Sequence, residues 1–251
     1  MLYILKKRGQ SVSFYVIFGV IILAVFFFLM MFSKNLVARP LSFEVDDVDS
    51  LRAFVNSCVQ TVGEKALFIV GRQGGYTINA PLETLDTPYG NIGYIFKDGK
   101  KTAMTSDAIK KEIGLYVKKE LPACLSDFSG FNDKEIDIKP RNIKADAVFG
   151  KTDTIVIVDC PMSVKTGDHT VQLESFQARF NVRIKEFIDV TDILADRMTL
   201  NPGYIDLTYL GNLDMNSTIL TEKDGQHVIV LEDYKSSLGG KIYKYLFVIS
   251  K

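Results

Sequence analysis

The chain has little of what most catalytic sites are built from. Among its 251 residues there are only 2 histidines, His169 and His227, and no H-E-x-x-H, G-x-S-x-G or G-x-x-x-x-G-K-[ST] string. His-based metal centres and Ser-His-Asp arrangements therefore have almost no material, and we expect no catalytic residue, no cofactor and no metal site. Basic charge is not in surplus either. Thirty Lys and Arg balance thirty Asp and Glu, which argues against a nucleic-acid binder, because such proteins concentrate cations to neutralise phosphates. The three cysteines, Cys58, Cys124 and Cys160, include no C-x-x-C pair, so a dithiol redox centre is not expected. Internal repeats and low-complexity tracts are also missing.

What the chain does have is one long apolar run. Val12 to Phe32 carries no charge, and as a helix it rises roughly 31 Å, about one bilayer core. A cleaved secretory signal would have an apolar region of only ~7–15 residues followed by small residues, whereas this run ends on the bulky Phe26–Phe32. We therefore expect a cytoplasmic N-terminus over residues 1–11, a transmembrane helix over 12–33 and a connector over 34–45. Lys6, Lys7 and Arg8 precede the run with no acid among them, while Lys34 and Arg39 after it are soon followed by Glu44, Asp46, Asp47 and Asp49. The positive-inside bias then places residues 46–251 outside the cell membrane. Beyond Ser33 there remain 27 basic and 30 acidic groups, so this part has no polybasic arm for anionic headgroups.

The expected fold of residues 46–251 is α+β, with amphipathic helices and antiparallel sheet. A division into lobes 46–132 and 133–251 is the finer alternative. Val48, Leu51, Val55, Cys58, Val62, Ala66 and Ile69 recur at steps of three and four, predicting a helix that Gly71 and Gly74-Gly75 terminate. Tyr76-Thr77-Ile78 reads as extended, and Ile92–Phe96 and Lys100–Met104 as a hairpin around Lys97-Asp98-Gly99. Thr105 or Ser106 caps a second helix with Ile109, Ile113, Tyr116, Val117 and Leu121 inward. Strands follow over Asp153–Val164 and Thr170–Ile184, joined through Thr166–His169. The inward set of the second strand shifts from odd to even positions, which predicts a bulge near Ser175. Phe187, Val190, Leu194 and Met198 mark a third helix. Thr218–Thr221, His227–Glu232 and Lys241–Ile249 form a meander, with Ser236–Gly240 as one turn.

Packing the first two helices together would bring Cys58 and Cys124 into disulfide range; the alternative is three buried thiols. Cys160, in a Val-rich strand, reads as a small buried hydrophobe. Gly71-Arg72-Gln73-Gly74-Gly75-Tyr76 runs from a helix end into a strand, the wrong polarity for a phosphate cradle. It is either a helix stop or a recognition loop through Arg72, Gln73 and Tyr76. The acidic sets Glu44/Asp46/Asp47/Asp49 and Asp189/Asp192/Asp196 read as helix capping and a solvated face. The paired lysines of the second helix read as solvent-facing. Asn216-Ser217-Thr218 is an N-glycosylation sequon in an expected turn.

Lys7-Arg8-Gly9-Gln10 directly before an apolar helix resembles the class III signal of archaeal type IV pilin-like proteins. The resemblance implies cleavage between Gly9 and Gln10 and assembly through the helix. Phe14 would then be the fifth mature residue, where those proteins usually carry Glu. The Lys/Arg-Gly-Gln start, Phe54–Cys58 leading to Gly71–Tyr76, Cys124-Leu125 and the strand Tyr243-x-Tyr245-x-Phe247 also resemble uncharacterised membrane-anchored proteins of small-genome archaea. The resulting expectation is a non-enzymatic single-pass envelope protein that binds or scaffolds a protein partner. Its helix meets the bilayer and is a candidate homo-oligomer contact. The alternatives are a pilin-like subunit and an extracytoplasmic enzyme with an unrecognised site.

Overall fold

The computed structural model describes residues 48–80, 83–126, 131, 135–138, 142–166, 169–222 and 225–250. The expected span at 12–33, its flanking segments, Gly9, Gln10, Glu44, Asp46 and Asp47 lie outside them. Among the described residues no helix is long and apolar enough to cross a membrane.

Asp46–Lys251 is one compact unit of mixed α and β structure. It opens with α1, Val48–Gln73, which buries Leu51, Val55, Cys58, Val62 and Ala66 as the spacing predicts. Two features of this helix differ from expectation. The stripe continues through Leu67 and Val70 and leaves Ile69 only half-buried. The helix also runs through Gly71, where a Cβ would lie 2.4 Å from the Lys244 carbonyl oxygen. Gly71 is there for close approach to a strand. Termination falls instead to Gly74 and Gly75, at φ 79° and 110°, where side chains with a Cβ are disfavoured.

After α1 come β1 (Thr84–Thr87), β2 (Gly90–Lys97) and β3 (Lys100–Lys101). The β2–β3 turn is Asp98-Gly99, both residues at positive φ, as a two-residue hairpin turn requires. β3 is only two residues long, shorter than the expected Lys100–Met104. Next, α2 (Ser106–Leu125) is capped by Thr105, whose Oγ1 accepts the Ala108 N–H at 3.3 Å.

The middle of the chain gives β4 (Glu135–Ile138), β5 (Lys144–Phe149), β6 (Thr154–Thr166) and β7 (His169–Phe180), with β6 paired to the other three. The predicted phase change appears between Leu173 and Phe176, but the surplus residue sits on the other strand. Asp159 pairs with Ser175 and Met162 with Leu173, so Cys160 and Pro161 together oppose Glu174. A bulge is where a sheet tolerates a proline that has no N–H to donate.

Then follow α3 (Ile184–Leu200), a short α4 (Leu207–Gly211), and the meander β8 (Asn216–Thr221), β9 (His227–Leu238) and β10 (Lys241–Ile249). The second sheet has the order β1-β2-β10-β9-β8, with β3 also on β2, and β10 runs parallel to β2. The turn expected over Ser236–Gly240 shrinks to Gly239-Gly240, and β9 carries Tyr234, Lys235 and Ser236 as extra residues. The cause is a buried ion pair. Arg183 donates from Nε and Nη2 to Asp233, each at 2.8 Å, and its N–H donates to Ser236 Oγ at 2.9 Å. One core collects side chains of α1, α2, α3 and both sheets, including Leu51, Ile113, Val158, Phe187 and Tyr245.

Candidate functional site

The β10 strand is apolar on both faces. Tyr243, Tyr245 and Phe247 point into the core, where Phe187 lies between the two tyrosines with ring centroids 5.4 and 5.5 Å away. Leu246 and Val248 point the other way and join Ile92, Tyr94 and Val228 in a separate cluster, against which Leu220 and Val230 pack. An inward face buries its side chains on helices. On the outward face a groove of about 490 Å³ opens.

Its floor is Leu220 of β8, Val230 and Leu238 of β9, and Ile242 and Leu246 of β10. One wall is the last turns of α1, with Phe68 and Arg72; another is Tyr89 in the β1–β2 turn. Phe68, Tyr89 and Ile242 are 53%, 52% and 44% exposed, more than isolated surface hydrophobes need to be when they adjoin one another. The polar groups of the rim are cations: Arg72, Lys241 and Lys244. Arg72 donates to the Tyr89 carbonyl and stands 5.5 Å over the Phe68 ring, so its guanidinium is held in place. Lys244 pairs with Glu232. Among the described residues no carboxylate lines the groove. Below it, Tyr243 donates to the Leu67 carbonyl at 2.7 Å, and burial pushes its phenol well above the ordinary range.

A second groove of the same volume lies between α2 and β5, where Lys110, Lys111, Lys118 and Lys144 share the lining with Asp107 and Asp146. Lys110 is paired with Asp107 at 3.2 Å. Its mixed charge and small apolar content make it the less selective of the two.

Of the expected recognition loop, Arg72 lines the first groove, and the buried Gln73 Oε1 has no hydrogen-bond partner among the described residues. Tyr76 is a correction. It is 3% exposed and donates to the Asn91 carbonyl at 2.7 Å, so it is a packing residue, not part of a surface. The expected extended segment Tyr76–Ile78 is also absent, and Glu112 explains why. This buried carboxylate accepts the N–H groups of Thr77, Ile78 and Asn79 at 3.0, 2.9 and 3.1 Å and the Asn79 Nδ2 at 2.8 Å. Its partners bend the segment into an anion nest. Burial alone would raise the Glu112 carboxyl, but the donated N–H groups hold it below its ordinary value.

Cys58 and Cys124 form a disulfide with Cα atoms 5.8 Å apart, and Cys160 is a buried free thiol pushed up by burial. His227 on β9 has Nδ1 3.3 Å from Thr221 Oγ1. His169 begins β7, in the other sheet. Asp189 pairs with Lys185, while Asp192 and Asp196 both hold Lys101 at 2.7 and 2.6 Å, tying α3 to β3. No cluster suited to a metal ion occurs among the described residues. Asn216 is exposed, but it begins β8 instead of lying in a turn.

The expected meander places Ile242, Lys244 and Leu246 in the strand Lys241–Ile249 but does not by itself reveal the groove. The available signal was that β10 stays apolar at both odd and even positions near its end. No family model, no curated protein and no solved structure matches this chain.

Proposed function

We propose that the protein is a single-pass, membrane-anchored envelope protein whose exported α+β domain binds another envelope protein, without catalysing a reaction. The ligand is an extended segment of that partner in which apolar residues alternate with acidic ones. The observation that carries this reading is the groove of β8, β9 and β10. An apolar floor exposed to water favours an apolar ligand, and a rim that carries Arg72 and Lys241, with no acid lining it among the described residues, selects negative charge. The apolar, uncharged Val12–Phe32 run supplies the anchor. Lys6, Lys7 and Arg8 supply the orientation.

The test is a photo-crosslinking amino acid in place of Ile242 in the full chain, irradiated in native membranes. We expect one protein adduct whose crosslinked peptide is acidic and apolar, lost in the Arg72→Glu, Lys241→Glu double variant. A lipid adduct, or a protein adduct indifferent to the charge reversal, sinks the reading. The Lys7-Arg8-Gly9-Gln10 string favours a second reading, a type IV pilin-like subunit. A mature N-terminus at Gln10 supports it, and an intact Met1 removes it.

A further inference from the structure

The strand β8 ends its sheet: among the described residues it pairs with β9 alone. A free edge offers unpaired backbone groups to any passing strand, and proteins blunt such edges with charges, prolines, bulges or a cover. Asn216-Ser217-Thr218-Ile219-Leu220-Thr221 contains no charge and no proline, and its register with β9 is unbroken. It is a β-prone edge that lacks the charge, proline or bulge with which such edges are blunted.

Its first residue is the sequon asparagine. Asn216 and Thr218 are both exposed, so the acceptor amide and the hydroxyl two residues on are open to solvent. The Asn216 Nδ2 donates to the Tyr234 hydroxyl at 2.6 Å. Tyr234 is 62% exposed, although it sits in the three-residue excursion of β9 that the Arg183–Asp233–Ser236 bonds fix in place. A concavity of about 270 Å³ lies beside the two residues, lined also by Asp214, Met215 and Lys235. An exposed aromatic ring hydrogen-bonded through its hydroxyl to an acceptor amide offers a face on which a sugar ring can pack.

We infer that Asn216 carries an N-linked glycan whose first sugar packs on Tyr234 and whose bulk covers the edge of β8. In the transfer, Nδ2 bonds to the anomeric carbon of a sugar donor carried on a polyprenyl phosphate or diphosphate. The anomeric C–O bond breaks, the phosphate leaves with the electron pair, and the amide gives up one proton. One N–H remains on Nδ2 to donate to Tyr234. Asn216 and Leu220 lie on the same face of β8, by the two-residue period, so the glycan also borders the groove on its β8 side. The inference rests on the exported placement of the domain and is independent of what the groove binds.

The test uses the full chain purified from membranes of its own host, with intact mass and peptide mapping, beside the Thr218→Ala and Asn216→Gln variants. The wild type is expected to be heavier than its sequence by one glycan on the Asn216 peptide, and both variants to have the unmodified mass. The variants are also expected to form more oligomer or aggregate on size exclusion. An unmodified Asn216 peptide overturns the site. A modified wild type whose variants stay equally monodisperse overturns the covering of the edge. Protease added to sealed cells separates a wrong site from a wrong location: an unmodified chain that protease degrades is exported but not glycosylated there.

Discussion

Loss of the Cys58–Cys124 crosslink is the perturbation whose size can be worked out most directly. The bond joins the middle of α1 to the last turn of α2 across a sequence separation of 66. Closing a loop of that length removes about 4 kcal/mol of unfolded-chain entropy. A domain of this size unfolds with an entropy of roughly 0.43 kcal/mol/K near its midpoint, so a Cys58→Ser, Cys124→Ser double variant should melt about 10 °C lower. The assay is thermal unfolding of the full chain in detergent, followed by circular dichroism. A thiol titration in denaturant without reductant accompanies it. One reactive thiol is expected in the wild type, from Cys160, which is wholly buried when folded. Three thiols would refute the crosslink, and a change in Tm below about 3 °C would refute the entropy reasoning.

The nest around Glu112 gives a pH dependence. Because the folded carboxyl is held below its ordinary value, its stabilisation is present above the unfolded pKa of about 4.3 and is lost as pH falls through the folded value. Chemical denaturation at several pH values should show this acid weakening in the wild type and a shallower one in Glu112→Gln. At neutral pH that variant should be less stable by about 3 kcal/mol, since the three backbone N–H groups then meet a neutral oxygen and the amide nitrogen cannot accept from Asn79 Nδ2. At Gly71 the obstacle is backbone: a Cβ would lie 2.4 Å from the Lys244 oxygen. Gly71→Ala should therefore cost about 2 kcal/mol in urea unfolding despite the better helix propensity of alanine. An unchanged midpoint would show that α1 can move away from β10 freely.

Where the sequence reading succeeded, one periodic pattern met one burial environment. The stripes of α1, α2 and α3 each face a single core, so steps of three and four were enough to place them. The odd-to-even shift in β7 showed that a bulge was needed, but the pairing partner decided that Cys160 and Pro161 would form it. Thr77 and Ile78 depart from the extended expectation because the deciding group, Glu112, lies 34 to 35 residues away in sequence. A propensity argument over neighbouring residues has no means of seeing a carboxylate on another helix. The same holds for Ser236, drawn into a strand excursion by Arg183 from 53 residues away.

The sequence by itself determined the α+β class, the three long helices and the closing meander, because hydrophobic periodicity is a local property of the chain. It also carries the apolar Val12–Phe32 run and the charge step around it. Only the tertiary structure decided that Phe68 and Arg72 of α1 meet Tyr89 of the β1–β2 turn and the outer face of three distant strands. A groove is a relation among surfaces that come together after the chain has folded, and no single stretch of residues encodes its walls and its floor at once.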